Sequence, residues 1–116
     1  MMTASAGSGG RLLIRGSRNN YLMATDANAQ EAYAGESQAN RKYAVYAEKA
    51  EAEGYPVIGK LFRAASEAEA VHAKRLLFIL NAVKKTEENL QDAIEAETYE
   101  FTKMYPEFVA QAKEDR

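Results

Sequence analysis

The sequence predicts an all-α protein. Only two prolines occur in its 116 residues, and alanine and glutamate, both strong helix formers, are abundant. From Ala27 onward apolar residues recur every three or four positions, which is the period of an amphipathic helix, and we find no alternating pattern typical of a strand. At this length the chain forms one domain at most.

The first 26 residues are expected to form a disordered leader. The run Ala6–Gly10 is small and flexible, and the short apolar run Leu12–Ile14 is too closely flanked by arginine for a signal-peptide core. We therefore predict that the domain spans residues 27–116. One interpretation of this change in composition is that the natural polypeptide starts at Met23 and that the preceding segment is not native.

Two helices are predicted first. Helix A covers about 27–53 and ends at Gly54, a residue type favoured just beyond a helix. Pro56 then suits the first turn of helix B, which continues to about residue 82.

A third helix follows a short connection. Thr86 is the predicted N-cap of helix C, and Pro106 should kink or interrupt it. The link over 81–85 reaches about 18 Å at most, whereas helix B is roughly 40 Å long. Helices B and C therefore form an antiparallel hairpin within one chain, or helix C crosses into a partner chain.

Composition excludes several classes of protein. The chain has no cysteine, so it holds no disulfide, thiolate zinc site or iron–sulfur cluster of its own. A net charge of −2 argues against nucleic-acid binding. No apolar run approaches the roughly 20 residues that span a membrane. We expect a cytoplasmic protein.

Each helix places an acidic residue in the middle of its apolar stripe. Glu36 lies in the stripe of helix A, Glu69 and His72 lie in that of helix B, and Glu97 lies in that of helix C with Glu100 beside it. The three stripes are Ala29, Ala32, Glu36, Ala39, Tyr43, Tyr46 and Ala50; Phe62, Ala65, Glu69, His72, Leu76 and Ile79; and Leu90, Ile94, Glu97, Phe101, Met104 and Phe108.

Carboxylates in such positions need a counter-charge. An unpaired buried carboxylate costs several kcal/mol, and several together repel one another. The nearby basic residues fall outside the stripes, so a multivalent cation is the predicted solution. Oxygen ligands with one imidazole suit iron, with manganese as the alternative. Glu69 and His72 also have the Glu-x-x-His spacing used by di-iron carboxylate bundles.

Four segments resemble the rubrerythrins in order along the chain. They are Glu31–Asn40, Ala47–Ala65, Glu69–Arg75 and Glu97–Pro106. The resemblance covers about residues 27–116. It implies three helices of a ferritin-like four-helix bundle, with the fourth helix missing and the four-cysteine rubredoxin-like domain absent.

The resemblance also implies a role for individual residues. Glu36 would be a terminal ligand of one of two irons, and Glu69 and Glu97 would bridge them. His72 and Glu100 would be alternative ligands of a movable iron. The side chains of Tyr43 and Tyr105 would donate hydrogen bonds to the ligand carboxylates. No catalytic residue beyond the metal ligands is implied.

The implied activity is the reduction of hydrogen peroxide with electrons from an external donor such as a rubredoxin. A homodimer with exchanged helices is the favoured assembly. Two alternatives stay open: an iron-binding, ferroxidase or storage protein, and a metal-free helical interaction module. Two copies pooling Glu36 and the Glu69-x-x-His72 pair would also restore the ligand count of a di-iron bundle.

Overall fold

A computed structural model describes the backbone from Gly9 to Arg116 and the side chains from Ala24 onward. This part of the chain is all-α, as predicted, and contains no strand. Its elements are α1 (Gly9–Ala52), α2 (Pro56–Ile79), α3 (Thr86–Tyr99), a π turn (Glu100–Met104) and α4 (Tyr105–Glu114). They belong to two compact units, one ending at Leu80 and the other beginning at Asn81.

The start of α1 differs from the prediction. The helix begins at Gly9 rather than near Ala27. The predicted boundary between a leader and the domain at residue 27 stays a prediction. Extending an existing helix costs far less than nucleating one, so a helix can continue beyond the segment that an apolar pattern predicts. Residues 1–8 lie outside the described part, and the proposed start at Met23 stays a prediction.

The turn after α1 matches the sequence closely. Gly54 has a φ of 84°, the left-handed conformation that glycine adopts without strain. The N–H of Tyr55 donates to the carbonyl of Ala50 at 2.8 Å, and that of Gly54 to Glu51 at 3.1 Å. These two bonds form a Schellman motif. Pro56 is the first residue of α2, as predicted.

Small residues let α1 and α2 pack closely as an antiparallel hairpin. Ala47 is fully buried, and Ser66 and Ala73 are buried on the facing side of α2. A Cβ added at Gly59 would lie 2.8 Å from Cγ of Glu51 and 3.3 Å from the carbonyl oxygen of Ala47. Glycine therefore favours this close approach, because a Cβ would force Glu51 or the backbone of α1 to shift. Within residues 24–116 no large side chain is fully buried.

The connection after α2 is short, in agreement with the sequence, although α2 ends at Ile79 rather than near Ala82. Asn81 has a φ of 52°, a left-handed conformation that asparagine tolerates better than most residues. This conformation ends α2 before residue 82, where the sequence predicted its end.

The second unit begins with a capped helix. Lys85, not Thr86, is the N-cap of α3. Its backbone N–H donates to Oε2 of Glu88 at 3.1 Å, and the N–H of Lys84 donates to Oδ1 of Asn89 at 2.8 Å. Acidic and amide side chains of the first turn thus replace the predicted threonine cap.

Pro106 interrupts the third helix, as predicted, and the interruption takes the form of a π turn over Glu100–Met104. The N–H of Tyr105 bonds to the carbonyl of Glu100, five residues earlier. The expected apolar stripe is not buried: Leu90, Ile94, Phe101 and Phe108 are all exposed. A single interrupted helix has no second layer within its own unit against which to bury that face.

Candidate metal centre

Three predicted ligands converge on one side of the α1–α2 hairpin. Glu36 comes from α1, and Glu69 and His72 come from adjacent turns of α2. One ligand atom from each residue lies within 4.8 Å of the other two. Nδ1 of His72 is 3.4 Å from Oε2 of Glu69 and 3.9 Å from Oε1 of Glu36. We call these three residues the ligand cluster.

The ligand cluster is less buried than the sequence predicts. The side chains of Glu69 and Glu36 are 20% and 34% exposed, and that of His72 is 56% exposed. The distances between these side chains are long for hydrogen bonds, so the three side chains form only weak hydrogen bonds with one another. Their lone pairs stay available to a ligand that approaches from solvent.

No arginine or lysine neutralises the cluster in the part of the chain whose side chains are described. Arg63, a cation on α2, forms a bidentate pair with Glu51 at 2.7 and 2.8 Å. The hydrogen bonds from Arg63 lower the pKa of Glu51, although desolvation of the carboxyl opposes that change. The carboxylates of Glu36 and Glu69 therefore face each other without a permanent counter-charge, which favours a bound cation.

A reciprocal pair of hydrogen bonds sets the register of the two helices beside the cluster. Nδ2 of Asn40 donates to the carbonyl oxygen of Ser66 at 2.7 Å, and Oγ of Ser66 donates to the carbonyl oxygen of Asn40 at 2.7 Å. Asn40 lies one turn from Glu36, and Ser66 lies one turn from Glu69. The sequence analysis did not identify this pair, since polar residues within helices usually face solvent.

The two predicted tyrosines lie in aromatic contacts. The ring of Tyr43 is 6.2 Å from Tyr46 and 6.1 Å from Phe62, centroid to centroid. Tyr105, in the second unit, packs edge-on against Phe108 at 6.0 Å. Neither tyrosine hydroxyl takes part in a hydrogen bond among the described side chains. Their role towards ligand carboxylates stays a prediction.

Glu97 and Glu100 belong to the second unit. Glu97 lies on α3 and is exposed, and Glu100 is the half-buried first residue of the π turn. Their assignment as bridging and alternative ligands stays a prediction.

The donor set of the cluster fits an iron ion. Two carboxylates and one imidazole offer the oxygen and nitrogen ligands that iron and manganese accept, and no thiolate is present. Their spacing on α2 is the Glu-x-x-His arrangement of carboxylate-bridged di-iron bundles.

A comparison with known families decides the relationship. The family model described as Rubrerythrin matches residues 28–116. The chain belongs to the rubrerythrin family.

Individual relatives agree with this assignment. A rubrerythrin of Porphyromonas gingivalis is 35% identical over 104 residues, covering 78% of this chain and 52% of the relative. A rubrerythrin of Nitratidesulfovibrio vulgaris is 31% identical over 115 residues, covering 88% of this chain and 57% of the relative. Nigerythrin of the same organism is 30% identical over 102 residues, with 76% and 50% covered.

The chain spans about half the length of these relatives. The family implies non-haem iron and a ferritin-like bundle. The all-α elements agree with the bundle, and the ligand cluster is the candidate site for the iron. In the described part of the chain, no helix has the length and apolar character needed to cross a membrane.

Proposed function

We propose that this chain is part of a non-haem di-iron oxidoreductase that reduces hydrogen peroxide to water with electrons from an external donor. The observation that carries the proposal is the convergence of Glu36, Glu69 and His72 within 4.8 Å, in a chain of the rubrerythrin family. When bound, two iron ions would supply the two electrons that break the O–O bond.

The residues of this chain hold and orient the centre. Glu36 and Glu69 offer carboxylate oxygens from facing helices, and the Asn40–Ser66 pair fixes the register of those helices. His72 is exposed, so a small polar molecule such as peroxide reaches the cluster from solvent. Solvent also supplies the two protons that convert peroxide and two electrons into two water molecules.

The electron donor must be another protein or domain. The chain contains no cysteine, so it holds neither a four-cysteine iron site nor a redox disulfide. A rubredoxin is the donor that the family resemblance implies, and a cytoplasmic location stays a proposal. Manganese is the alternative metal for the same donor set.

The test is peroxide-dependent oxidation of reduced rubredoxin by the iron-loaded chain, followed by its absorbance under anaerobic conditions. We expect turnover that stops when Glu36 is changed to Gln, and unchanged turnover with Glu67→Gln, an exposed acid on the same helix as Glu69. Iron binding without any peroxide-dependent oxidation would contradict the proposed reaction.

Iron handling is a second candidate function, favoured by the exposure of His72 on an open side of the hairpin. An accessible ligand suits the uptake and release of iron. The number of iron ions bound per chain distinguishes the two functions: a di-iron centre takes at most two, whereas a storage protein takes many.

A further inference from the structure

Three aromatic side chains of the hairpin form a continuous group of rings. The ring centroid of Tyr43 lies 6.2 Å from that of Tyr46 and 6.1 Å from that of Phe62. The centroids of Tyr46 and Phe62 are 5.5 Å apart. We call these three residues the aromatic cluster. Rings at such distances are in contact, so an electron passes rapidly between the two tyrosines, because electron tunnelling weakens steeply with distance.

The aromatic cluster connects the neighbourhood of the ligand cluster with solvent. Tyr43 follows Glu36 by seven residues on α1, a distance of about 10 Å along the helix. Phe62 precedes Glu69 by the same number of residues on α2. Tyr46 is 46% exposed and lines an open groove beside the turn between the two helices. An oxidising equivalent that forms at the ligand cluster therefore has a short route through the rings to the surface.

Composition makes tyrosine the side chain of the hairpin that a strong oxidant attacks. Residues 24–80 contain no tryptophan, and they contain neither cysteine nor methionine, the side chains that peroxide otherwise oxidises. The tyrosines in this range are Tyr33, Tyr43, Tyr46 and Tyr55. Tyr33 precedes Glu36 by one turn, but its ring contacts no other aromatic ring among the described side chains. Proximity to a ligand and membership of the aromatic cluster are therefore separable in this chain.

A centre that holds only its first ferrous ion lacks an electron for the proposed reaction. The three ligand atoms of the ligand cluster lie within 4.8 Å of one another and can hold one ion. Breaking the O–O bond of hydrogen peroxide to give water takes two electrons, whereas oxidation of one Fe²⁺ to Fe³⁺ supplies one. The second electron must then come from the protein.

We propose that the aromatic cluster supplies this second electron, an inference that rests on the proposed function. Peroxide takes one electron from the single ferrous ion and one from the phenol of Tyr43, and its O–O bond breaks. The phenol proton converts one of the two hydroxide ions to water, so the products are Fe³⁺, hydroxide, water and a tyrosyl radical. An electron and a proton from Tyr46 then restore Tyr43, and the radical stays on Tyr46, where small reductants reach it from solvent. The candidate ligands are thereby spared oxidation.

Electron paramagnetic resonance tests the proposal on the full chain, loaded anaerobically with one Fe²⁺ per chain, mixed with one equivalent of peroxide and frozen. We expect the signal of a tyrosyl radical, and peptide mass spectrometry should find oxidation products at Tyr46. The double variant Tyr43→Phe/Tyr46→Phe keeps the rings but should lose the radical signal. Tyr33→Phe is the matched control and should retain it. Peroxide without iron should give no radical, and circular dichroism of each variant confirms that it is folded.

The outcomes distinguish this inference from the proposed function. Ferrous iron that peroxide oxidises without forming a tyrosyl radical overturns the role of the aromatic cluster and leaves the proposed reaction standing. A radical that survives in the double variant also overturns that role, and its loss in Tyr33→Phe would place the oxidation beside Glu36 instead. A folded chain that binds no iron, or whose bound Fe²⁺ does not react with peroxide, overturns the proposed function and this inference together.

Discussion

At the residue scale, small polar groups determine where the ligand cluster lies. Asn40 and Ser66 exchange hydrogen bonds across the hairpin, and each stands one turn from a candidate ligand. Ser66 is buried, so its hydroxyl must find a partner within the protein. The pair therefore fixes both the separation and the register of the helices that carry Glu36 and Glu69.

Replacing Ser66 with alanine should destabilise the hairpin. The variant loses the bond from Oγ to the carbonyl of Asn40, and we expect the free energy of unfolding to fall by about 1 kcal/mol. Urea denaturation followed by circular dichroism measures the change. Ser37→Ala is the matched control, because Ser37 makes no hydrogen bond to another described side chain and alanine is the better helix former. Equal effects of the two substitutions would argue against the role of Ser66.

The sequence indicates the types of candidate ligand but not their exposure. The stripe of α2 correctly places Glu69 and His72 on neighbouring turns, because their spacing of three is fixed by the helix itself. It cannot show that His72 is 56% exposed, because exposure depends on which neighbouring elements cover the helix. Asn40 and Ser66 escaped notice for a similar reason: they form a pair only across two helices.

At the element scale, Gly59 allows α1 and α2 to approach. We expect Gly59→Ala to destabilise the chain by up to about 2 kcal/mol, because overpacking costs 1–3 kcal/mol and the better helix propensity of alanine offsets about 1. The added Cβ meets Cγ of Glu51, which the Arg63 pair holds in place, and a backbone oxygen.

Gly35 provides the matched control for this substitution. A Cβ at Gly35, in the interior of α1, has no atom within 4 Å. Gly35→Ala should therefore stabilise the metal-free chain by roughly 0.5–1 kcal/mol. Thermal denaturation shows whether each variant is stabilised or destabilised. A stabilising effect of Gly59→Ala would show that the helices separate easily.

The Glu51–Arg63 pair should make stability depend on pH. Its hydrogen bonds hold the folded-state pKa of Glu51 below the usual 4.5. The unfolded chain then binds a proton more readily, so the contribution of the pair is fully present above about pH 4.5 and is lost as pH falls through the lower folded pKa. Glu51→Gln should remove this part of the pH dependence. Glu31→Gln, which changes an exposed acid that forms no ion pair with another described side chain, should leave it in place.

Turn chemistry made the end of α1 and the start of α2 predictable. Gly54 and Pro56 act locally, through a left-handed conformation and a fixed φ, so their positions in the sequence suffice. The cap of α3 was misplaced by one residue, because the side chains of Glu88 and Asn89 accept hydrogen bonds from the backbone N–H groups of Lys85 and Lys84 and so fix the start of the helix one residue earlier.

At the scale of the whole molecule, a bound metal should contribute much of the stability. The described part buries alanines and a serine but no large side chain completely, so its core is small. The family and the all-α class were predictable because four motifs and a helical period are spread along the chain. The assembly was not predictable, because exposed apolar side chains indicate that a surface is covered without identifying what covers it.

Iron should therefore raise the thermal midpoint of the chain. At a free Fe²⁺ concentration 100 times the dissociation constant, binding adds about 2.7 kcal/mol. That corresponds to roughly 10–20 °C for a domain of this size. Scanning calorimetry under anaerobic conditions measures the shift, which a chelator should reverse and His72→Asn should reduce. An unchanged midpoint in saturating iron would contradict preferential binding of iron to the folded chain.

The π turn places one additional amino acid within a single helical turn. Every side chain after Met104 is consequently rotated by about 100° from where an uninterrupted helix would put it. Such an insertion leaves a trace in evolution: relatives that lack it should align with a one-position gap between Glu100 and Met104. The distribution of that gap among rubrerythrins would date the insertion relative to the divergence of the family.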